Sequence, residues 1–357
     1  MADNLAVYTQ TRGRSPRTSS STAGAPGDGR TAVRRYSVAV SDSCCAPNRG
    51  SGPHGSPGEV PARSAGRVPT TLVAVPGGRF QIGDASEWAY PGDGEGPVHD
   101  VVLAPFGIDS VAVTNTRFAA FVADTGWRTD AERYGWSFVF AGLLPDEFPP
   151  TRGVESAPWW RQVMGADWRH PEGPQSDTAT RADHPVVHVS WNDATAYCAW
   201  SGTRLPTEAE WEVAARGGLR GKPFPWGTTL EPGGRHRMNV FQGEFPGSNI
   251  AADGYLGTAP VDAFDANGYG LYNATGNVWE WCADWFDAAY YEQAPIDAPT
   301  GPATGTFRVQ RGGSYLCHAS YCRRYRVSAR LASEPDSSTG NVGFRVAADL
   351  AGAPGTA

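Results

Sequence analysis

RGGSYLCHASYCRRYRVSAR, residues 311–330, sets Cys317 and Cys322 five positions apart, behind Gly312-Gly313 and ahead of three arginines in four positions. Between Phe307 and Ser333 stand six arginines (Arg308, Arg311, Arg323, Arg324, Arg326, Arg330), one histidine (His318) and no carboxylate. A positive field lowers a thiol's pKa, and the thiolate is both nucleophile and metal ligand. Two soft sulfur ligands without further Cys or His at zinc-like spacing do not make a closed tetrahedral zinc site; they suit Cu(I). The residues alone leave two readings open, a reactive or metal-holding thiol pair and a local disulfide or two unrelated thiols in a basic loop.

The stretch continues into Pro335-Asp336-Ser337-Ser338, Gly340-Asn341 and Gly343-Phe344-Arg345. Upstream lie HPVVHVSWNDATAYCAWSGTRLPTEAEWEVAARGG, His184 to Gly218, and NGYGLYNATGNVWEWCADW, Asn267 to Trp285. Together these segments resemble the signatures of the formylglycine-generating enzymes, also called sulfatase-modifying factors, in the same order from about Val73 to Ala348. The upstream segments alone match the broad superfamily; the Cys-His-x-x-Tyr-Cys core at 317–322 resembles its active members.

The resemblance implies an α+β, irregular and loop-rich fold, a distant variant of the C-type lectin-like fold. It implies an oxidase that converts the cysteine of a Cys-x-Pro-x-Arg motif in an unfolded or nascent sulfatase polypeptide into Cα-formylglycine, with O2 and a thiol reductant. Cys317 and Cys322 would hold Cu(I) as a bis-thiolate that the substrate cysteine joins, Cys322 being the more accessible thiol and Cys317 the more buried. Ser314, Tyr321, Trp281 and Asn341 match residues around that pocket, His318 adjoins the pair, and Ser137 would face the substrate peptide. One calcium site is implied at Asn239, Val240, Asp253 and Tyr255, and a second at Thr275, Gly276, Val278 and Glu280, largely through carbonyl oxygens, the ligand type Ca²⁺ favours. Fold does not fix function, and two other readings share this architecture. One is a non-catalytic binding or scaffold module, in which one or both cysteines would be expected to be missing. The other is an iron enzyme, which needs a facial set of histidines or carboxylates that this sequence does not display.

Composition agrees with a loop-rich fold. The 357 residues include 44 Gly and 29 Pro, too many for a helical protein, while 13 Trp and 14 Phe supply apolar burial. Residues 1–66 carry eight Val, Leu or Tyr and no Phe, Trp or Ile, too little to offset ordering entropy, so this tail is expected to be disordered. The catalytic domain is expected over 67–350, with a flexible C-terminus at 351–357. Eight Arg against four acids give the tail +4, so the remainder carries −11 of the net −7, which disfavours nucleic-acid binding. Arg34-Arg35 is followed only by Val38-Ala39-Val40, and no stretch has the length of a membrane span, so a cytoplasmic monomer is expected. Of the six cysteines, Cys44 and Cys45 fall in the tail, and Cys198 and Cys282 are expected to stay reduced.

Local patterns predict few elements. Val73–Gly83 alternates around Pro-Gly-Gly and reads as a hairpin. Thr114-Asn115 caps a helix stopped by Gly126, Asn192-Asp193 opens one ending at Gly202, and Thr207 with Glu210 forms a capping box for one ending at Gly217-Gly218. Residues 127–184 read mostly as loop, with Trp159-Trp160 assigned to the core and His184 and His188 to structural roles.

Overall fold

The computed structural model describes residues 5–7, 45–50, 59–65 and 70–350. Most of the N-terminal segment, and residues 351–357, therefore lie outside the described residues. A strand at Leu5–Val7 (β1) precedes β2 (Leu72–Val75), β3 (Gly78–Ile82), β4 (His99–Leu103) and β5 (Phe106–Asp109). The predicted hairpin is not one: β2 pairs with β5, and β3 pairs with β4. Pro76-Gly77 turns the chain from one sheet into the next, and Ala104-Pro105 turns the partner strand at the same level, so one long antiparallel pair is broken at a shared corner. A Cβ at Gly77 would meet Pro105 Cδ at 2.7 Å, so the corner closes only around glycine.

The three predicted helices form. Helix α1 spans Asn115–Thr125, with Thr114 Oγ1 accepting from the Arg117 amide and Gly126 in the left-handed region behind it. A short helix the sequence reading missed, α2 (Asp130–Tyr134), carries its own Thr129/Glu132 capping box. It leads into β6 (Trp136–Phe140), which pairs with β8 (Ala157–Met164), beside β7 (Arg152–Val154) and β1 in a four-stranded sheet where loop was expected. Helix α3 (Trp191–Ser201) is capped by Ser190 in a box with Asp193, and α4 (Glu208–Arg216) by Thr207 in a box with Glu210.

A two-residue pair, β9 (Gly243–Glu244) with β10 (Ser248–Asn249), is followed by the central sheet. There β11 (Trp279–Trp285) lies antiparallel to β12 (Arg308–Arg311) and parallel to β14 (Val342–Gly343), with β13 (Arg330–Ser333) outside β12. A last strand, β15 (Ala347–Asp349), joins β5. The main core is aromatic: Phe118, Phe121, Trp168, Tyr197, Trp200, Trp279, Trp281 and Phe344 pack together, and both Cys317 and Cys322 belong to this cluster.

The arginines around the thiols are not an open positive field, because distant segments supply the carboxylates that their own stretch lacks. Arg311 and Arg330 reach Glu208 and Glu212 on α4, and Arg326 reaches Asp84 and Glu95. Arg324 pairs with Asp93, and Arg345 with Glu280. All five guanidinium groups are buried, and a buried charge persists only when paired and hydrogen-bonded.

Candidate active site

The loop from β12 to β13 folds back on itself. The Cys317 amide donates to the Ser314 carbonyl at 2.9 Å, and the Cys322 and Tyr321 amides donate to the His318 carbonyl at 2.7 and 3.0 Å. Gly313 enters this loop at φ 75°, and a Cβ there would meet the Arg324 carbonyl at 2.8 Å, a position that only glycine tolerates. The result sets Cys317 Sγ 3.4 Å from Cys322 Sγ, well beyond the ~2.05 Å of a disulfide.

Their environments drive the two thiols apart. Burial, followed by the bond to Cys322, pushes Cys317 well above the ordinary thiol pKa. Burial works in the same direction on Cys322, but hydrogen bonds from Cys317 and Cys45 and the charge of Arg324 outweigh it and hold Cys322 well below. Two sulfurs this close are a soft donor set, and their chemistry fits Cu(I) better than a hard oxygen-seeking ion.

Ser314 and Asn341 stand beside the pair. Asn341 Nδ2 donates to Ser314 Oγ at 2.9 Å, its Oδ1 accepts from Thr339 Oγ1 at 2.6 Å, and the Ser314 amide points at Cys317 Sγ at 3.4 Å. Trp281 is fully buried below, its Nε1 donating to the Val189 carbonyl at 3.1 Å. Tyr321 stacks on Phe245 with 4.5 Å between centroids and meets Trp159 edge-on at 4.8 Å, an aromatic wall beside the thiols. Trp160 is core, as expected. The His318 ring turns away to Ser320 Oγ at 2.8 Å, so its carbonyl, not its imidazole, shapes the site.

Neither thiol is the accessible one: both are buried. The cover is residues 45–50 of the N-terminal tail. Cys45 is 4% exposed, and its Sγ lies 2.7 Å from Cys322 Sγ and 3.6 Å from Arg324 Nη1. Residues 45–50 are therefore ordered against the domain. The signal that could have found them is the pattern Cys45-Ala46-Pro47-Asn48-Arg49 itself.

Ser137 is fully buried and faces no open groove. Its Oγ donates to the Ser338 carbonyl at 2.9 Å and lies 2.8 Å from His188 Nδ1.

At the first calcium candidate, Asn239 Oδ1 is buried without a partner among the described residues, while Asp253 accepts from the Val240 and Tyr255 amides at 2.9 and 3.1 Å. At the second, Thr275 Oγ1 is likewise buried without a partner, and Gly276 and Val278 line the same turn into β11. The Glu280 carboxylate, however, is held by two bonds from Arg345 at 2.6 and 2.7 Å and by Trp211 Nε1 at 2.7 Å. Among the described residues no group of three or more His, Cys, Asp or Glu is arranged to hold a metal, so calcium would depend on carbonyl, amide and hydroxyl oxygens.

Cys198 and Cys282 are buried free thiols, with burial pushing Cys198 up to about 12 and Cys282 well above its ordinary value. No helix among the described residues is long and apolar enough to cross a membrane.

Residues 57–350 match the family model of the sulfatase-modifying factor enzyme 1-like domain. The formylglycine-generating enzyme of Thermomonospora curvata is 58% identical over 82% of this chain and 97% of its own length. That of Streptomyces coelicolor is 60% identical over 78% and 88%. The bovine inactive C-alpha-formylglycine-generating enzyme 2 is 47% identical over 80% and 90%. Among solved structures, PvdO from Pseudomonas aeruginosa superposes with a TM-score of 0.57 at 28% identity, covering 82% of this chain and 100% of that one. The thiol loop, the irregular aromatic fold and these matches agree, and the chain belongs to the formylglycine-generating enzyme (sulfatase-modifying factor) family.

Proposed function

We propose that the chain oxidises the cysteine of a Cys-x-Pro-x-Arg motif in a sulfatase polypeptide to Cα-formylglycine, using O2 and a thiol reductant. The observation that carries this reading is the Cys317–Cys322 pair, two buried sulfurs 3.4 Å apart beside the Arg324 guanidinium. Cu(I) bound by the two sulfurs would supply the oxygen chemistry that thiols alone lack. The remaining roles belong to the chain's own side chains. Arg324 keeps negative charge on Cys322, its Nη1 lying 3.8 Å from the sulfur, while Asn341 and Ser314 form a fixed polar edge beside Cys317. Tyr321, Phe245 and Trp159 exclude water from one side. Calcium at Asn239 and Asp253 would tie loops together away from the chemistry. Unpaired Cys198 and Cys282 support a reducing compartment, the cytoplasm.

The binding-module reading is favoured by one observation, the match to inactive paralogues. Mass spectrometry of a Cys-x-Pro-x-Arg peptide after incubation with the chain, Cu(I), O2 and dithiothreitol separates the two. Loss of sulfur with gain of an aldehyde supports the oxidase; a peptide left unchanged even by Arg49→Ala, which loosens the segment covering the thiols, supports the module.

A further inference from the structure

Residues 45–49 read Cys-Ala-Pro-Asn-Arg, so the chain carries in itself the spacing Cys-x-Pro-x-Arg. The fold seats that segment on the thiol pair. At one end Cys45 Sγ lies 2.7 Å from Cys322 Sγ, and the Cys45 carbonyl accepts from Asn341 Nδ2 at 2.9 Å. In the middle the Pro47 carbonyl accepts from Ser337 Oγ at 2.9 Å, and Asn48 Oδ1 accepts from the Glu334 amide at 2.9 Å. At the other end Arg49 donates to the Trp136 carbonyl at 2.9 Å, the Asp336 carbonyl at 3.1 Å and Ser338 Oγ. Its guanidinium lies over the Tyr134 and Trp136 rings, 4.4 and 4.3 Å from their centroids.

The contacts of the Cys45 sulfur and the Arg49 guanidinium are specific to the residue types of the motif. A guanidinium presents donors in a rigid planar fork, and here three acceptors, one from β6 and two from the loop after β13, meet it between aromatic faces. A segment packing only by apolar contact would not bring its cation into such a slot, because removing a guanidinium from water costs free energy unless it is hydrogen-bonded. The sulfur lands where an incoming thiol would meet Cys322, and the arginine fills a pocket four residues away. Residues 45–49 also precede residue 57, where the family match begins.

We propose that Cys45–Arg49 is a tethered substrate mimic that fills the groove for the sulfatase cysteine motif, so that a peptide substrate binds only by displacing it. The identity of the competing peptide rests on the proposed function; the seating of the strap does not. Because the strap is covalently joined to the domain, its effective concentration at the groove is on the order of 1 mM, so a dilute peptide competes poorly until the strap lifts. The groove is thereby self-screening: only a partner that offers more than the five-residue motif gains access to the thiols.

The test uses the full-length chain without copper and follows alkylation of Cys322 under native conditions by peptide mapping. In the unaltered chain Cys322 reacts slowly. In Arg49→Ala, which releases one anchor, it reacts at least tenfold faster, and a Cys-x-Pro-x-Arg peptide with serine in place of its cysteine restores protection. Cys45→Ala, which keeps the arginine anchor, serves as a second variant, with circular dichroism to verify folding of both. Fast alkylation in the unaltered chain, or slow alkylation in both folded variants, overturns the strap. Fast alkylation in the variants that the peptide does not slow overturns the mimicry. A peptide that protects Cys322, while its cysteine form is left unchanged by the copper-loaded variant, upholds the strap and overturns the oxidation.

Discussion

Cys317 and Cys322 are pushed to opposite sides of the ordinary thiol pKa although they share one site, and substitution at either should abolish it. Serine is similar in size but offers a hard, largely protonated oxygen to a soft ion. Cys317→Ser and Cys322→Ser are each expected to lose most Cu(I) affinity and at least a hundredfold in turnover, about 2.7 kcal/mol of transition-state stabilisation. Competition for Cu(I) against a chromogenic chelator, paired with peptide turnover, measures both; full copper affinity in either variant would refute the bis-thiolate. His188 makes a separate prediction. It is fully buried, with Nδ1 against Ser137 Oγ and Nε2 against the Pro171 carbonyl, both at 2.8 Å, and burial lowers its pKa to about 4. The unfolded chain takes up this proton near the ordinary histidine value of about 6.5, the folded chain only near 4. The contribution is thus present above pH ~6.5 and is lost as pH falls from there towards 4. Urea midpoints from pH 7 down to 4 should fall less steeply in His188→Gln than in the unaltered chain. At this scale the sequence displayed the thiol pair, its glycines and its arginines. It did not display the acids that neutralise those arginines, because Asp93, Glu95 and Glu208 lie more than a hundred residues away from them.

Helices were legible because their ends are written locally: Thr114, Thr207 and Gly126 act within one turn of themselves. Strands were not. Trp136-Ser-Phe-Val-Phe140 is buried at four of its five positions and lacks alternation, and its partner lies across a Pro-rich loop. The Val73–Gly83 alternation was read correctly as two strands, but pairing is a tertiary choice that a turn signal does not fix. On β11 the Glu280 carboxylate neutralises Arg345, which also donates to the Asp109, Ser110 and Tyr272 carbonyls. Glu280→Ala leaves that cation buried and uncompensated, a loss of about 3–5 kcal/mol. Chemical denaturation should register it even in the presence of a calcium chelator. If instead chelator alone lowers the stability of the unaltered chain to that of the variant, calcium accounts for the effect.

For the whole molecule, residues 45–49, ahead of the start of the family match at 57, are part of the site and not an appendage. Composition misjudged it, because average hydrophobicity over 66 residues hides a five-residue stretch that binds through hydrogen bonds and one sulfur. Removing residues 1–56 takes away the partners of Asn341, Ser337 and the Glu334 amide, and is expected to lower the melting temperature by several degrees instead of leaving it unchanged. Differential scanning calorimetry of the shortened and full chains decides; identical transitions would show that the contacts contribute nothing. The architecture itself was legible, since few helices, small sheets and an aromatic core follow from the Gly, Pro and Trp content.

The buried pairs Arg324–Asp93, Arg326–Glu95 and Arg330–Glu208 join residues 231, 231 and 122 positions apart. None can close while the C-terminal stretch is still inside the ribosome, and contacts of such separation are slow to form. At roughly 5–20 residues per second of synthesis, the acidic half emerges many seconds before its arginines do. During that interval Glu208 and Glu212 are exposed carboxylates on a half-made chain, and the two cysteines have not met. Assembly of the thiol pair therefore waits on residues 311–345, so a chain interrupted ahead of them should be inert and unfolded, not partly active.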